Sequence, residues 1–354
     1  MSPKVVVPHF SVISGAQVSR VLTGNETRTI KLVEEAYRAH GDGGTVNPPS
    51  YFLSFPDRTS SRIIALPASV GGSVRVDGIK WISSFPENIK SGIPRASAVL
   101  VLNDYDTGYP FACLESSIIS AARTAASAAL ATDWLTRERV KPRRLGFVGA
   151  GLIARHIHTY LVAAGWDFEE VGVYDLSAEN AAAFRSYLAA GEASVRVSVR
   201  QDAEDLVRSS DLVVFATVAA QPHVRDPRWF AHNPLVLNVS LRDLAPEVLL
   251  ESANVLDDVE HCLKAGTSPH LTEQLTGSRD FVDGTLADVM AGSVRVPADR
   301  PVVFSPFGLG VLDLAVGKSV YDRVRADGDL RVVEDFFHEL DRYGVPGHTG
   351  GPSS

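Results

Sequence analysis

Apolar positions recur every three to four residues through RTIKLVEEAYRAH (28–40), where Ile30, Leu32, Val33 and Tyr37 make one stripe. That spacing predicts an amphipathic helix, and GDGG at 41–44 ends it. Short runs of strand character follow at 62–68, 79–84, 96–103 and 110–114, separated by glycine, proline and asparagine clusters. They predict an antiparallel or mixed sheet, with DYDTG at 104–108 as a hairpin turn into YPFACL. The stretch ESSIISAARTAASAALATDWL (115–135) is alanine-rich and predicts a long helix.

The pattern then changes. TRERVKPRR (136–144) is polar and basic and reads as a linker. From Arg144 onward, LGFVGAG, EEVGVYD, SVRVSV, DLVVFATV, PLVLNVSL and ANVLDDV are apolar or β-branched runs at near-regular intervals. Alternation of such runs with helical segments is the signature of a parallel, doubly wound sheet. After Gly308, LGVLDLAVGKSVYDRVRA is helical again and is expected to pack back on the first domain. The tail GVPGHTGGPSS is expected to lack fixed structure. The fold class is therefore α/β: a Rossmann doubly wound parallel-sheet domain over 137–311, beside an α+β domain over 1–136 and 312–354. No internal repeat is found.

Composition narrows the function classes. The 354 residues suit two domains, and 45% hydrophobic with 21% charged residues is ordinary for a globular protein. The net charge is −8 and no basic run stands out, which argues against a nucleic-acid partner. Cys113 and Cys262 fit neither a zinc motif nor a disulfide framework. MSPKVVVPHFSVIS has no basic start followed by a long apolar run, and no stretch of some twenty apolar residues occurs. No signal peptide and no membrane span are expected, and a cytoplasmic location follows.

One motif carries chemistry outright. In LGFVGAGLIARHI, Gly149, Gly151 and Ala154 form G-x-G-x-x-A between an apolar strand and a helix, and the next strand ends at Asp175, 21 residues past Ala154. Gly149 allows the tight turn, Gly151 lets backbone approach a pyrophosphate, and Ala154 keeps the helix near the strand. Asp175 would accept hydrogen bonds from a ribose and repel a 2′-phosphate, which points to NAD over NADP; the other reading is an incidental strand-end acid. Thr217 and Val218 end DLVVFATV, where they either line the cofactor crevice or pack. The expected cofactor-contacting set is Gly149, Gly151, Leu152, Ile153, Ala154, Asp175, Thr217, Val218 and Ser240.

Three further residues stand out. Lys80 lies in GIKWISSFPENI, where it either snorkels or meets an anionic ligand. Arg123, flanked by alanines in AARTAAS, is either a carboxylate clamp or a helix-surface arginine. Asp243 follows the strand in LNVSLRDL, and on the residues alone it suits a cap on the helix begun by LAPEVLL better than an acid–base role. His156 and His158, at i and i+2, face different ways and read as structural. His9, His40 and His232 offer no signal, His261 has no partner at metal spacing, and no metal is expected.

Taken in order, GIKWISSFPENIKSGIPRASAVLVLNDYDTGYP, ESSIISAARTAASAALA, GFVGAGLIARHI and NVSLRD resemble the ornithine cyclodeaminase/μ-crystallin family over roughly residues 10–330. RIIALPA, GIKWISSFP and SLRD are most similar to its siderophore-type branch, the N-(2-amino-2-carboxyethyl)-L-glutamate dehydrogenases. The resemblance implies oxidative cleavage of that amino acid, with NAD, to 2,3-diaminopropionate and 2-oxoglutarate. It makes Lys80 a catalytic lysine beside the substrate carboxylate, Arg123 that carboxylate's clamp and Asp243 the acid–base residue, reversing the cap reading. Arg62 is implied as a second carboxylate contact. It also implies a homodimer formed through the sheet of the first domain, which then serves substrate binding and dimerisation. Cyclodeaminases typically carry glycines before the late aspartate and an arginine after the early proline pair; Leu241-Arg242 and Ser50 stand there, against an ornithine pocket. The rival readings are ornithine cyclodeamination or ketimine reduction within the family, and a crystallin-like NAD(P)H-binding protein without turnover.

Overall fold

The computed structural model describes residues 9–191 and 195–338. The leader expectation rests in part on residues 1–8, and the tail expectation falls on 344–354; both segments lie outside the described residues. The first half runs β1 (Phe10–Ile13), α1 (Gly15–Leu22), α2 (Glu26–Gly41), β2 (Thr45–Val46), β3 (Tyr51–Ser54), β4 (Arg62–Val70), β5 (Val76–Ser84), β6 (Ala96–Asp104), β7 (Pro110–Glu115) and α3 (Ser117–Leu135). The second half runs β8 (Arg144–Val148), α4 (Leu152–Ala163), β9 (Glu170–Tyr174), α5 (Ala178–Gly191), β10 (Arg196–Val199), α6 (Ala203–Arg208), β11 (Leu212–Phe215), β12 (Leu235–Asn238), α7 (Pro246–Leu250), β13 (Ala253–Leu256), α8 (Val259–Cys262), α9 (Ser268–Thr276), β14 (Val282–Thr285), α10 (Leu286–Ala291) and β15 (Val302–Ser305). The chain then returns through α11 (Gly310–Ala326) and β16 (Arg331–Val333) to the first sheet.

The first sheet has the order β16-β1-β7-β6-β5-β4-β2, with β3 also paired to β4. It is mixed, because β1 and β7 are parallel and the other pairs antiparallel. Period-two alternation sorts its side chains. The register row Leu66–Lys80–Leu100–Leu114 faces inward and is buried, whereas Tyr51, Trp81 and Val99 share an outward row and are exposed. Helix α11 packs across β4, β5 and β6. Burial of each such leucine contributes roughly 1.5–3 kcal/mol. The β4–β5 hairpin extends past the sequence-read limits because Val70 and Val76 pair and are fully buried. Helix α3 starts later than expected: Glu115 pairs with Val99 in the sheet and accepts a hydrogen bond from the Ser117 amide at 2.7 Å.

The second sheet is eight-stranded and parallel throughout, in the order β10-β9-β8-β11-β12-β15-β13-β14. Strand order reverses between β8 and β11, and the crevice at such a reversal, beyond the carboxyl ends of the strands, is where a doubly wound sheet holds its ligand. Helix α3 packs on α4 and so joins the two halves. No described helix is long and apolar enough to cross a membrane.

Candidate active site

The glycine turn lies at that reversal. Gly149 has φ +98°, and a Cβ there would sit 2.6 Å from the Ala216 carbonyl oxygen and 3.1 Å from the Thr217 nitrogen. Only glycine accepts both the left-handed backbone and the close approach. Gly151 N-caps α4 without a side-chain bond, and nothing lies within 4 Å of a Cβ built on it. The first-turn N–H groups of α4 therefore face open space, and the helix dipole favours an anion there. Ala154 is fully buried, while Leu152 and Val218 are exposed and Ile153 and Thr217 half-buried. Asp175 also braces the turn: its carboxylate accepts hydrogen bonds from the Ala150 and Ser177 amides, each at 2.8 Å. These features fit a pyrophosphate on the α4 amides with a ribose at Asp175.

Lys80 does not snorkel. It is 1% exposed, and its Nζ donates to Asp313 Oδ2 at 2.6 Å and to Ser120 Oγ at 3.3 Å. Arg123 is not a surface arginine either: its Nε donates to Asp313 Oδ1 at 3.2 Å and its side chain is 11% exposed. One carboxylate on α11 thus holds a cation from β5 and another from α3, which leaves one positive charge unmatched. Burial and the neighbouring Arg123 charge push the Lys80 pKa down to about 8, against the pull of Asp313. The guanidinium lies against Gly308, where a Cβ would come within 2.5 Å of Nη1. Asp257 fixes that loop, accepting hydrogen bonds from the Phe307 and Gly308 amides at 2.9 and 2.7 Å. Burial pushes the Asp257 carboxyl up despite these donors.

If Lys80 is the carboxylate anchor, its charge must be present when substrate arrives. Above about pH 8 the free enzyme loses that charge, so kcat/KM is expected to fall about tenfold per pH unit there. Rate profiles between pH 6 and 10 check this; a flat profile through pH 9 contradicts it. The stability linkage has the opposite sense. A lysine with a lowered folded pKa binds fewer protons folded than unfolded, so its contribution rises as pH climbs from about 8 to 10.5.

Asp243 corrects the cap reading. Helix α7 is N-capped by Ala245, with no side-chain cap bond, and Pro246 occupies its first turn. The Asp243 side chain turns inward instead and is fully buried. It accepts hydrogen bonds from Thr217 Oγ1 at 2.5 Å, from Ser240 Oγ, and pairs with His223 Nε2 at 2.8 Å. The preceding strand β12 ends at Asn238, so Ser240 and Asp243 belong to a turn. Leu241 in that turn has φ +78°, an uncommon backbone for a branched residue, where the cyclodeaminase pattern has glycine. His223 carries no sequence signal, since it sits in an irregular loop, yet it is the Asp243 partner most open to solvent: its side chain is 42% exposed.

The predicted residues thus fall into groups: the glycine turn with Asp175, the Thr217–Ser240–Asp243 cluster beside it, and Lys80 with Arg123. Arg62 stands apart, paired in register with Ser84, four positions along β5 from Lys80. Two histidines that read as uninformative join the halves of the molecule. His40 on α2 and His261 on α8 both pair with Asp258, at 3.0 and 2.9 Å, and His261 Nε2 also reaches the Pro48 carbonyl at 3.1 Å. His158 is buried, which lowers its pKa to about 4, in keeping with its structural reading. Among the described residues, no three His, Cys, Asp or Glu side chains cluster to hold a metal.

The model of the ornithine cyclodeaminase/mu-crystallin family matches residues 16–328. The chain belongs to that family. Within it, the chain is 28% identical over 311 residues to the N-((2S)-2-amino-2-carboxyethyl)-L-glutamate dehydrogenase of Staphylococcus aureus, covering 85% of this chain and 92% of that one. The crystal structure of CmnK superposes with a TM-score of 0.84 at 28% identity, over 94% of this chain and all of that one. An archaeal alanine dehydrogenase dimer with bound NAD gives 0.83 at 26% identity, over 93% of this chain and all of that one. In this chain Asp313 pairs with Lys80 and Arg123, and His223 pairs with Asp243.

Proposed function

We propose that the chain is an NAD-dependent oxidoreductase acting on the CH–NH bond of an amino acid, and that the substrate is N-(2-amino-2-carboxyethyl)-L-glutamate. The observation that carries this reading is the buried Lys80–Asp313–Arg123 cluster, whose excess positive charge is complementary to a substrate carboxylate. Similarity to the Staphylococcus aureus dehydrogenase supports the specific substrate. Leu241-Arg242 and Ser50 stand against an ornithine pocket, and an intact lysine, arginine and aspartate stand against a crystallin-like protein without turnover.

NAD, when bound, supplies the hydride acceptor that turns the substrate amine into an imine. The α4 amides and Gly151 would hold its pyrophosphate and Asp175 its ribose. Lys80 and Arg123 fix the glutamyl carboxylate so that Cα is presented for oxidation. Water then adds to the imine carbon, and Asp243 takes the proton that water loses. His223 exchanges that proton with solvent. Collapse of the adduct returns a proton to the departing nitrogen and releases 2-oxoglutarate and 2,3-diaminopropionate. A cytoplasmic location and supply of diaminopropionate to siderophore or peptide-antibiotic assembly belong to the same reading.

Incubation with NAD and the substrate should yield stoichiometric NADH at 340 nm, with 2-oxoglutarate and diaminopropionate by mass spectrometry. Absence of 2-oxoglutarate discards the substrate; conversion of ornithine with no net absorbance change favours a cyclodeaminase. Asp175→Ala should raise the KM for NAD at least tenfold and narrow the preference for NAD over NADP, as measured by initial rates with each cofactor. The homodimer we assign uses the outer face of the first sheet, where Tyr51, Leu53, Trp81 and Val99 are exposed. Sedimentation equilibrium reads its mass.

A further inference from the structure

Among the described residues, three arginines near the active site have no anionic partner. Arg62 opens β4, on the same sheet face as Lys80, because four positions separate Lys80 from its register partner Ser84. At about 3.3 Å per residue, that is about 13 Å along the sheet. Arg95 reaches the same spot: its Nη1 donates to Ser84 Oγ at 2.8 Å. Arg242, next to Asp243, comes from the second sheet's side of the cleft and, among the described residues, donates only to the Ala265 carbonyl, at 3.1 Å. Arg62 Nε is buried with no hydrogen-bond partner among the described residues. Among the described residues, none of the three pairs with a carboxylate. Burial first, then the charges of Arg242 and Arg95, lower the Arg62 pKa, so the three guanidinia share one electrostatic environment.

Half-buried like charges without a counter-ion are unfavourable unless an anion completes them. Guanidinium forks match carboxylates in two-point geometry. The geometry points to a second carboxylate subsite, formed by Arg62, Arg95 and Arg242, that takes a carboxylate borne on a side arm of the substrate remote from the reacting carbon. This rests on the function proposed above and sharpens it. With one carboxylate at Lys80 and Arg123, the substrate's other two are the groups that can reach the arginines. Alanine and proline have no further carboxylate to offer, and the side-chain ammonium of ornithine is repelled. The arginines thus select an extended polycarboxylate amine.

Calorimetric titration of the NADH-loaded protein tests this, because bound NADH blocks oxidation and the measurement reads binding alone. The probes are N-(2-amino-2-carboxyethyl)-L-glutamate and its analogue with both distal carboxylates converted to carboxamides. Arg62→Gln and Arg95→Gln should each weaken binding of the tricarboxylate roughly tenfold to a hundredfold and leave the diamide within about twofold of wild type. Arg123→Gln should weaken both ligands. Equal weakening of both probes by Arg62→Gln and Arg95→Gln, no weakening of either, or failure of wild-type protein to bind the tricarboxylate overturns the subsite. Arginine-dependent binding without NADH production from NAD in a parallel assay keeps the subsite and removes the proposed reaction.

Discussion

Asp243→Asn should keep NADH binding within about twofold of wild type and lower kcat by roughly two to four orders of magnitude, the usual share of a positioned acid–base group. The amide copies the carboxylate's shape, so the turn that carries it should fold. It cannot accept a proton, and its NH2 group meets donors: Thr217, Ser240 and the His223 ring all point hydrogen-bonding groups at this side chain. Fluorescence titration with NADH and single-turnover rates with NAD separate the two effects. Full turnover by the variant removes Asp243 from the chemistry. His223→Gln provides the companion measurement. If His223 carries the proton to solvent, its loss slows turnover and external imidazole restores part of the rate. A residue that only props the loop gives no such rescue.

The second large effect concerns stability. Asp313→Leu should destabilise the protein by about 3–5 kcal/mol, because it leaves the fully buried Lys80 and the nearly buried Arg123 as uncompensated charges. Urea denaturation followed by fluorescence measures this. Lys80→Met combined with Asp313→Leu should recover a large part of the loss, since removing both partners of a buried pair is far less costly than removing one. The double variant should nevertheless remain inactive. Equal instability of the single and double variants would show that packing around α11, rather than charge, sets the cost.

Some of this was legible in the chain and some was not, and the division follows sequence distance. The dinucleotide turn is local: strand, two glycines, alanine and helix lie within one unit, so residue types alone specify it. The Lys80 and Arg123 partner was invisible because Asp313 lies 233 and 190 residues away. A hint was present in LGVLDLAVG, where one acid interrupts an apolar helix face whose neighbours are all buried. His223 had no such hint. It belongs to an irregular loop brought to Asp243 by backbone bonds from His223 and Val224 to the Asp243 carbonyl, each at 3.0 Å. The cap expectation for Asp243 failed because an acid before an apolar run is a common helix start, and Pro246 moved that start to Ala245. Strand ends were read too long at β11 and β12, where apolar residues continue past the last ladder bond because Ala216 and Val239 still pack against the core.

The contact between Arg123 and Gly308 has a use beyond this molecule. Any side chain at 308 would displace the guanidinium, and the carboxylate that holds it follows five residues later. A glycine, four residues and an aspartate near the carboxyl end therefore form a diagnostic to be read together with the RTAA arginine. A bulkier residue in place of Gly308 would surrender the anchor while leaving the nucleotide turn at 149–154 as it is.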